Sequence, residues 1–146
     1  MLDRSFVELW FDHVRVGFPL EDVERVLRAA AVTPVPGAAG CLLGMLDLHG
    51  EAVPVYDTRR LLGLPHRDLQ PEHRFVLTRG AGRRAVFVAD AVAPAVDCGD
   101  LAEPDSYSAR SARLRGVTAT RDGMLLVHDL KRFLYLERAL TAGRDA

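Results

Sequence analysis

Gly44-Met45-Leu46-Asp47-Leu48-His49-Gly50-Glu51-Ala52-Val53-Pro54-Val55-Tyr56-Asp57-Thr58-Arg59-Arg60-Leu61-Leu62-Gly63 is the stretch on which the fold is decided. It spells two strands and a short helix. His49-Gly50-Glu51 carries a turn between two apolar runs, because glycine adopts positive φ without steric penalty. Asp57 is placed to accept from the first free amides of a helix, and Gly63 to end it. Pro54 donates no ladder hydrogen bond, so its strand is expected at a sheet edge or a bulge, as a strongly curved small barrel provides.

The pattern returns downstream as Gly116-Val117-Thr118-Ala119-Thr120-Arg121-Asp122-Gly123-Met124-Leu125-Leu126-Val127-His128-Asp129, followed by Leu130, Phe133 and Leu134. Gly44 to Asp57 and Gly116 to Asp129 are both 13 residues, at an offset of 72. Further upstream Phe6-Val7-Glu8-Leu9 is echoed by Phe75-Val76-Leu77, and Val23 by Val92 at an offset of 69. The chain therefore reads as two copies of one half-size unit.

Outward from these landmarks, Phe6 to Phe11 alternates as a strand, Asp12-His13 turns, and Val14 to Phe18 returns. From Pro19 on, Leu20, Val23, Val26 and Leu27 fall on one helical face with acids in the first turn, which predicts a helix. Pro34, Pro36, Gly37 and Gly40 mark a loop, and Gly63 to Pro71 a connector. Arg74 to Arg79, Arg84 to Asp90 and Val92 to Val96 read as three strands. Cys98 to Arg113 reads as a surface loop, Leu130 to Leu140 as a closing helix, and the residues after Thr141 as a frayed tail.

With 146 residues, 49% apolar and 27% charged, the composition is that of an ordinary globular domain. Halves of about 70 residues bury little alone, so one compact unit, or two very small barrels that share a core, is expected. Net charge is -1, but residues 1–73 hold 11 acidic and 7 basic side chains against 9 and 12 in residues 74–146, a polarity suited to docking on proteins. No apolar run approaches the roughly 18 residues of a membrane span and Met1 to Ser5 starts no signal peptide, which predicts a cytoplasmic protein without membrane insertion. Cys41 and Cys98 have no CxxC spacing and are read as reduced core thiols.

Little points to chemistry. His13, His49, His66, His73 and His128 lack HxxxH or HxH spacing beside a second ligand, so no metal is expected. Asp57, Asp90 and Asp129 recur beside apolar runs and are read as helix caps, not as an acid–base pair. Cys41 with a histidine and Asp47 could make a hydrolase constellation, yet no nucleophile elbow surrounds Cys41. The arginines of the second half (Arg79, Arg83, Arg84, Arg110, Arg113, Arg115, Arg121) raise nucleic-acid binding as a different class. Against it, the aromatics Phe6, Trp10, Phe11, Phe75 and Phe87 sit in apolar strand patterns and are expected in the core, unavailable for base stacking.

The landmark stretch resembles the signature of the CheW family of bacterial chemotaxis coupling proteins, Gly-Val-x-Asn-Leu-Arg-Gly followed by a hydrophobic-Asp-Leu-Arg helix start. Val14 to Pro36 and Val86 to Val92 are similar to further family segments. The sequence departs from the signature at Asp47-Leu48-His49-Gly50, where Asn-Leu-Arg-Gly is usual. The resemblance implies an all-β fold with short helices, two SH3-like five-stranded barrels on a shared core. These would form a single domain over 1–146, with subdomains of roughly 14–70 and of 1–13 plus 71–146. It also implies a non-enzymatic adaptor, without cofactor, metal or nucleic acid, that joins the cytoplasmic tip of chemoreceptors to the regulatory domain of the histidine kinase CheA. Such a protein is expected to be a monomer when free and an array member when assembled, with an adaptor of a related non-motility pathway as the near alternative. By matching motif positions the receptor-binding residues are Val23, Gly44, His49, Val92 and Gly116. No kinase-binding residues are assigned.

Overall fold

Every apolar alternation read above pairs into a sheet. In the computed structural model, which describes residues 4–38, 40–80, 82–98, 114–120 and 123–128, β1 (Arg4–Phe11) and β2 (Val14–Pro19) form a hairpin. Asp12 turns it at φ 55. There follow β3 (Val23–Arg28), β4 (Leu42–Leu48), β5 (Glu51–Tyr56), helix α1 (Thr58–Leu61), β6 (Arg74–Gly80), β7 (Arg83–Ala89), β8 (Ala91–Cys98), β9 (Leu114–Thr120) and β10 (Gly123–His128). The expected loop at 98–113, the closing helix and the tail lie outside the described residues, apart from Cys98, which ends β8.

The strands form two five-stranded sheets, in the orders β8-β1-β2-β10-β9 and β3-β6-β7-β5-β4. Replacing each strand by its counterpart five places along the chain turns one order into the other. The parallel pairs agree as well: Val127 lies opposite Gly17 and Val55 opposite Val86, and 55 to 127 is the offset of 72 while 17 to 86 is the offset of 69. The sequence repeat is thus a structural repeat, but its copies are interlocked. Each sheet takes the first hairpin of one copy and the last three strands of the other. Strand membership therefore divides the chain as 4–19 with 91–128 against 23–89, not as 14–70 against 1–13 with 71–146.

Among the described residues the buried apolar side chains form three clusters. One joins the sheets: Leu9, Phe11, Val16 and Phe18 meet Tyr56, Leu61, Val76 and Phe87, with Phe18 edge-on to Phe87 at 5.2 Å between ring centroids and Tyr56 stacked on it at 5.5 Å. The second lies within the β3–β7 sheet (Leu46, Val53, Val55, Phe75, Leu77, Val86), and the third within its counterpart (Phe6, Leu125, Val127). The expected shared core is present, and Phe6, Phe11, Phe75 and Phe87 are completely buried in it or in the barrel interiors. The β3–β7 sheet rolls closed where Thr33 and Met45 exchange backbone hydrogen bonds of 2.9 and 2.8 Å.

Two local expectations are corrected. Pro54 is not on an edge strand, since β5 lies between β7 and β4; it is tolerated because the ladder with β7 covers only Val55 and Tyr56. The helix expected from Pro19 to Leu27 is a single 3-10 turn, Leu20–Asp22, followed by β3. A bulge explains the misreading. Val23 pairs with Thr78 and Val26 with Val76, but the register slips between Val23 and Arg25, so one extra residue puts Val23 and Val26 on the same face at a spacing of three. A bulged strand there imitates helical periodicity.

Candidate functional site

Val23 and Val92, distant in sequence, come together. With Val7 they floor an open groove of about 430 Å³ between β3 and β8, the strands that carry the two copies of the repeat past each other. Both valines are half-buried and rest on the shared core. Leu20 and Val26 form the groove's edge at 45% and 41% exposure, and Ala93 completes it. Leu20 and Val26 were legible only as members of a helix face; Leu20 in fact sits on the 3-10 turn and Val26 beyond the bulge in β3. Apolar side chains held open to solvent in a concave patch mark an interaction surface.

Charge surrounds the groove unevenly. Glu24 is held by Arg79 (Nε to Oε1, 2.7 Å) and by Arg84 (NH2 to Oε2, 2.7 Å), and Arg84 also donates to Glu51 at 2.6 Å. The hydrogen bonds from Arg84 and Arg79 lower the Glu24 carboxyl to about 2. Arg25 and Arg74 line the groove too. Arg74 donates to the carbonyl oxygens of Glu72 and His73, at 2.9 and 3.0 Å.

The other predicted positions lie elsewhere. Gly44 is in β4, where a Cβ would overlap the Thr33 carbonyl oxygen, so glycine is required by the bridge that closes the barrel. His49 and Gly50 form the tip of the β4–β5 hairpin at φ 52 and 88, the two positive values of a tight two-residue turn. His49 is exposed there, and the turn is held by the Gly50 amide donating to Asp47 Oδ1 at 2.8 Å. Gly116 lies in β9, opposite Val127. The structure thus unites Val23 and Val92 and sets Gly44, His49 and Gly116 apart from their groove.

A polar cluster, unread in the sequence, binds the sheets on their other contact. Arg59, on α1 and almost wholly buried, forks onto Asp90 (Nε to Oδ1 3.2 Å, NH2 to Oδ2 2.5 Å) and donates to Asp12 at 3.0 Å and to the Pro65 carbonyl at 3.2 Å. Arg67 reaches the same two carboxylates at 2.6 and 3.2 Å. Asp12 sits on the β1–β2 turn and Asp90 at the crossover from β7 to β8, so two arginines and two aspartates tie one sheet to the other with no net charge. The hydrogen bond from Arg59 lowers Asp12, and that to Asp90 raises Arg59. Asp90 is therefore an ion-pair residue and not the expected cap. Asp57 is a cap, accepting from the Arg60 amide at 3.4 Å, and Asp129 lies outside the described residues.

Next to the cap, His66 contacts Asp68 at 2.9 Å and Asp57 at 3.3 Å, and these carboxylates, Asp68 foremost, raise its pKa. Cys41, half-buried, lines a cavity of about 330 Å³ with His66, Asp57 and Arg60. Asp47, the third member of the constellation considered above, is engaged in its own hairpin turn. Among the described residues no group of three His, Cys, Asp or Glu side chains is placed to hold a metal, and no helix is long and apolar enough to cross a membrane.

Two interlocked barrels that bury Phe6, Phe11, Phe18, Phe75 and Phe87, with Trp10 only half-buried against the expectation of a core position, and leave an aliphatic groove along one seam make a protein whose evident equipment is for binding. The model of the CheW-like domain matches residues 11–138, and the chain belongs to that family, one of scaffolds and adaptors in chemotaxis-type signalling. Among solved proteins it is similar to the scaffolding protein TtCheW from Thermoanaerobacter tengcongensis, with a TM-score of 0.82 and 21% identity over 88% of this chain and 90% of that one. That likeness concerns the fold, two SH3-like β-barrels. Protein FrzA of Myxococcus xanthus is 34% identical over 79 residues, which are 54% of this chain and 49% of FrzA, so the match spans about half the length of that curated relative.

Proposed function

We propose that this chain couples the cytoplasmic tip of a chemoreceptor to the regulatory domain of a CheA-type histidine kinase, as a cytoplasmic, non-enzymatic adaptor. One rigid body with two interfaces links the two affinities, so a receptor can bias the kinase without any covalent step. The observation that carries the reading is the meeting of Val23 and Val92 in one open groove, at the two positions the family resemblance assigns to the receptor. Val23 and Val92 touch the receptor directly. Gly44 and Gly116 hold the backbones of β4 and β9 in the geometry that the interface needs. His49, exposed on the β4–β5 turn, contributes a weaker contact than the motif's arginine, since imidazole offers at most two donors in place of a five-donor fork.

The test is a pulldown of the purified chain with a CheA-type kinase and with a chemoreceptor signalling tip from the same cell. Capture of both is expected. Capture of neither by the folded chain overturns the proposal, and capture of the kinase alone restricts it to one partner.

A further inference from the structure

The repeat separates what the two sides of the groove share from what they do not. Val23 and Val92 are counterparts at the offset of 69, so the apolar floor is closely matched on its two sides. The charges are not. Arg25, Arg28 and Arg74 occupy positions whose counterparts at that offset are Pro94, Asp97 and Ser5. Arg25 and Arg74 line the groove together with Glu24, and Arg28 lies directly across the β3–β6 ladder from Arg74.

These arginines are short of carboxylates. Glu24 is already held by Arg79 and Arg84. Glu72 meets Arg74 through its carbonyl, not its carboxylate. Among the described residues, no Asp or Glu forms an ion pair with Arg25, Arg28 or Arg74, whereas Arg59, Arg67, Arg79 and Arg84 all have one. Like charges opposed across a ladder repel, so Arg28 facing Arg74 raises the gain from an anion that meets Arg74 in the groove. An apolar groove with cations along one side selects a segment of complementary charge and fixes its direction, mainly through encounter rate and discrimination.

We infer that the groove accepts a receptor segment whose aliphatic side chains are flanked on one side by Asp or Glu, with Arg25 and Arg74 reading those carboxylates and setting the segment's direction. The inference rests on the receptor-coupling reading and adds to it the acidic flank.

The experiment titrates a chemoreceptor signalling-tip fragment from the same cell into wild type, Arg25→Glu, Arg74→Glu and Val23→Asp at low and high salt, with thermal melts of each. Each charge reversal should weaken binding by roughly three- to tenfold at about 50 mM salt and by much less at about 0.5 M, because exposed charges are screened. Replacing the fragment's flanking Glu by Lys should restore binding to Arg25→Glu. If Val23→Asp abolishes binding while the arginine variants and salt change nothing, the acidic-flank inference is overturned and the groove reading stands. If wild type does not bind the fragment at any salt concentration, both are overturned. Should Arg25→Glu melt early, Arg25→Gln and the salt dependence of wild type decide in its place, flat salt dependence counting against the inference.

Discussion

The two sheets meet along two seams of opposite character. At the Arg59 seam, two guanidinium groups and two carboxylates satisfy one another, with Arg59 almost fully buried. At the seam between β3 and β8, aliphatic side chains stand open to solvent, and Arg25 and Arg74 have no carboxylate partner among the described residues. A seam complete in itself holds the fold; on the proposed reading, the seam with unmet apolar and ionic capacity is the one a partner completes. The same interlocked architecture would then separate stability from recognition within a short stretch, Asp90 and Val92 being only two residues apart.

The most severe way to break the comparison is to cut the chain within residues 64–71. Because each sheet takes strands from both copies of the repeat, residues 1–70 alone retain parts of two sheets and the whole of neither. Neither fragment should give dispersed amide spectra or a cooperative melt, whereas the intact chain should unfold in one transition. An independently folded half would contradict the interlocking.

Removing the polar seam comes next. Arg59→Ala leaves the partly buried Asp90 with Arg67 at 2.6 Å and the His73 ring at 3.8 Å and is expected to cost about 2–4 kcal/mol in urea unfolding, less than a fully orphaned charge. Arg59→Lys should recover only part of this, since an ammonium cannot fork onto both Asp90 oxygens. A loss below about 0.5 kcal/mol for Arg59→Ala would show that the packing of Phe18, Phe87 and Tyr56 holds the sheets without the ion pairs.

His49→Arg tests the exposed hairpin tip with a smaller effect. It should tighten binding to a receptor tip by about 1 kcal/mol, or roughly fivefold, without changing the melting temperature. Unchanged affinity would place the turn outside the interface.

The smallest effect concerns acid. Glu24 has its carboxyl lowered from an ordinary 4.5 to about 2, so its ion pairs add stability that is present above pH 4.5 and disappears as pH falls toward 2. Exposure limits the amount: Glu24→Gln should be less stable than wild type by at most about 1 kcal/mol at pH 6, with the difference shrinking as pH falls through about 2, where the folded carboxyl is half protonated. A difference as large at pH 2 as at pH 6 would trace to packing and not to charge.

Much of the fold was legible because its signals are local. The β4–β5 turn announces itself in His49-Gly50, the cap in Asp57, and the repeat in two equal glycine-to-aspartate spacings. The interlocking was not legible, since which hairpin joins which three strands is decided by long-range pairing that leaves no local mark. The bulge after Val23 was misread for a definite reason: an extra residue in a strand gives the spacing of three that a helix face also gives. The Arg59 cluster was hidden by distance along the chain, 47 residues to Asp12 and 31 to Asp90. Of the site, Val23 and Val92 were reached through the repeat and the family resemblance, whereas Leu20 and Val26 became visible as its edge only once β3 was seen as a strand.

The central claim, that the open seam binds and the closed one holds, is tested most directly by titration calorimetry of a receptor signalling tip into wild type, Val23→Asp and Val92→Asp, with kinase binding and urea unfolding measured on the same samples. The account predicts that each aspartate weakens tip binding by about 2 kcal/mol, roughly 30-fold, because a carboxylate is pressed into an apolar contact. Kinase binding should be unchanged and stability should fall by no more than about 1 kcal/mol. Equal losses of tip binding, kinase binding and folding would make these valines core residues, and contradict the account.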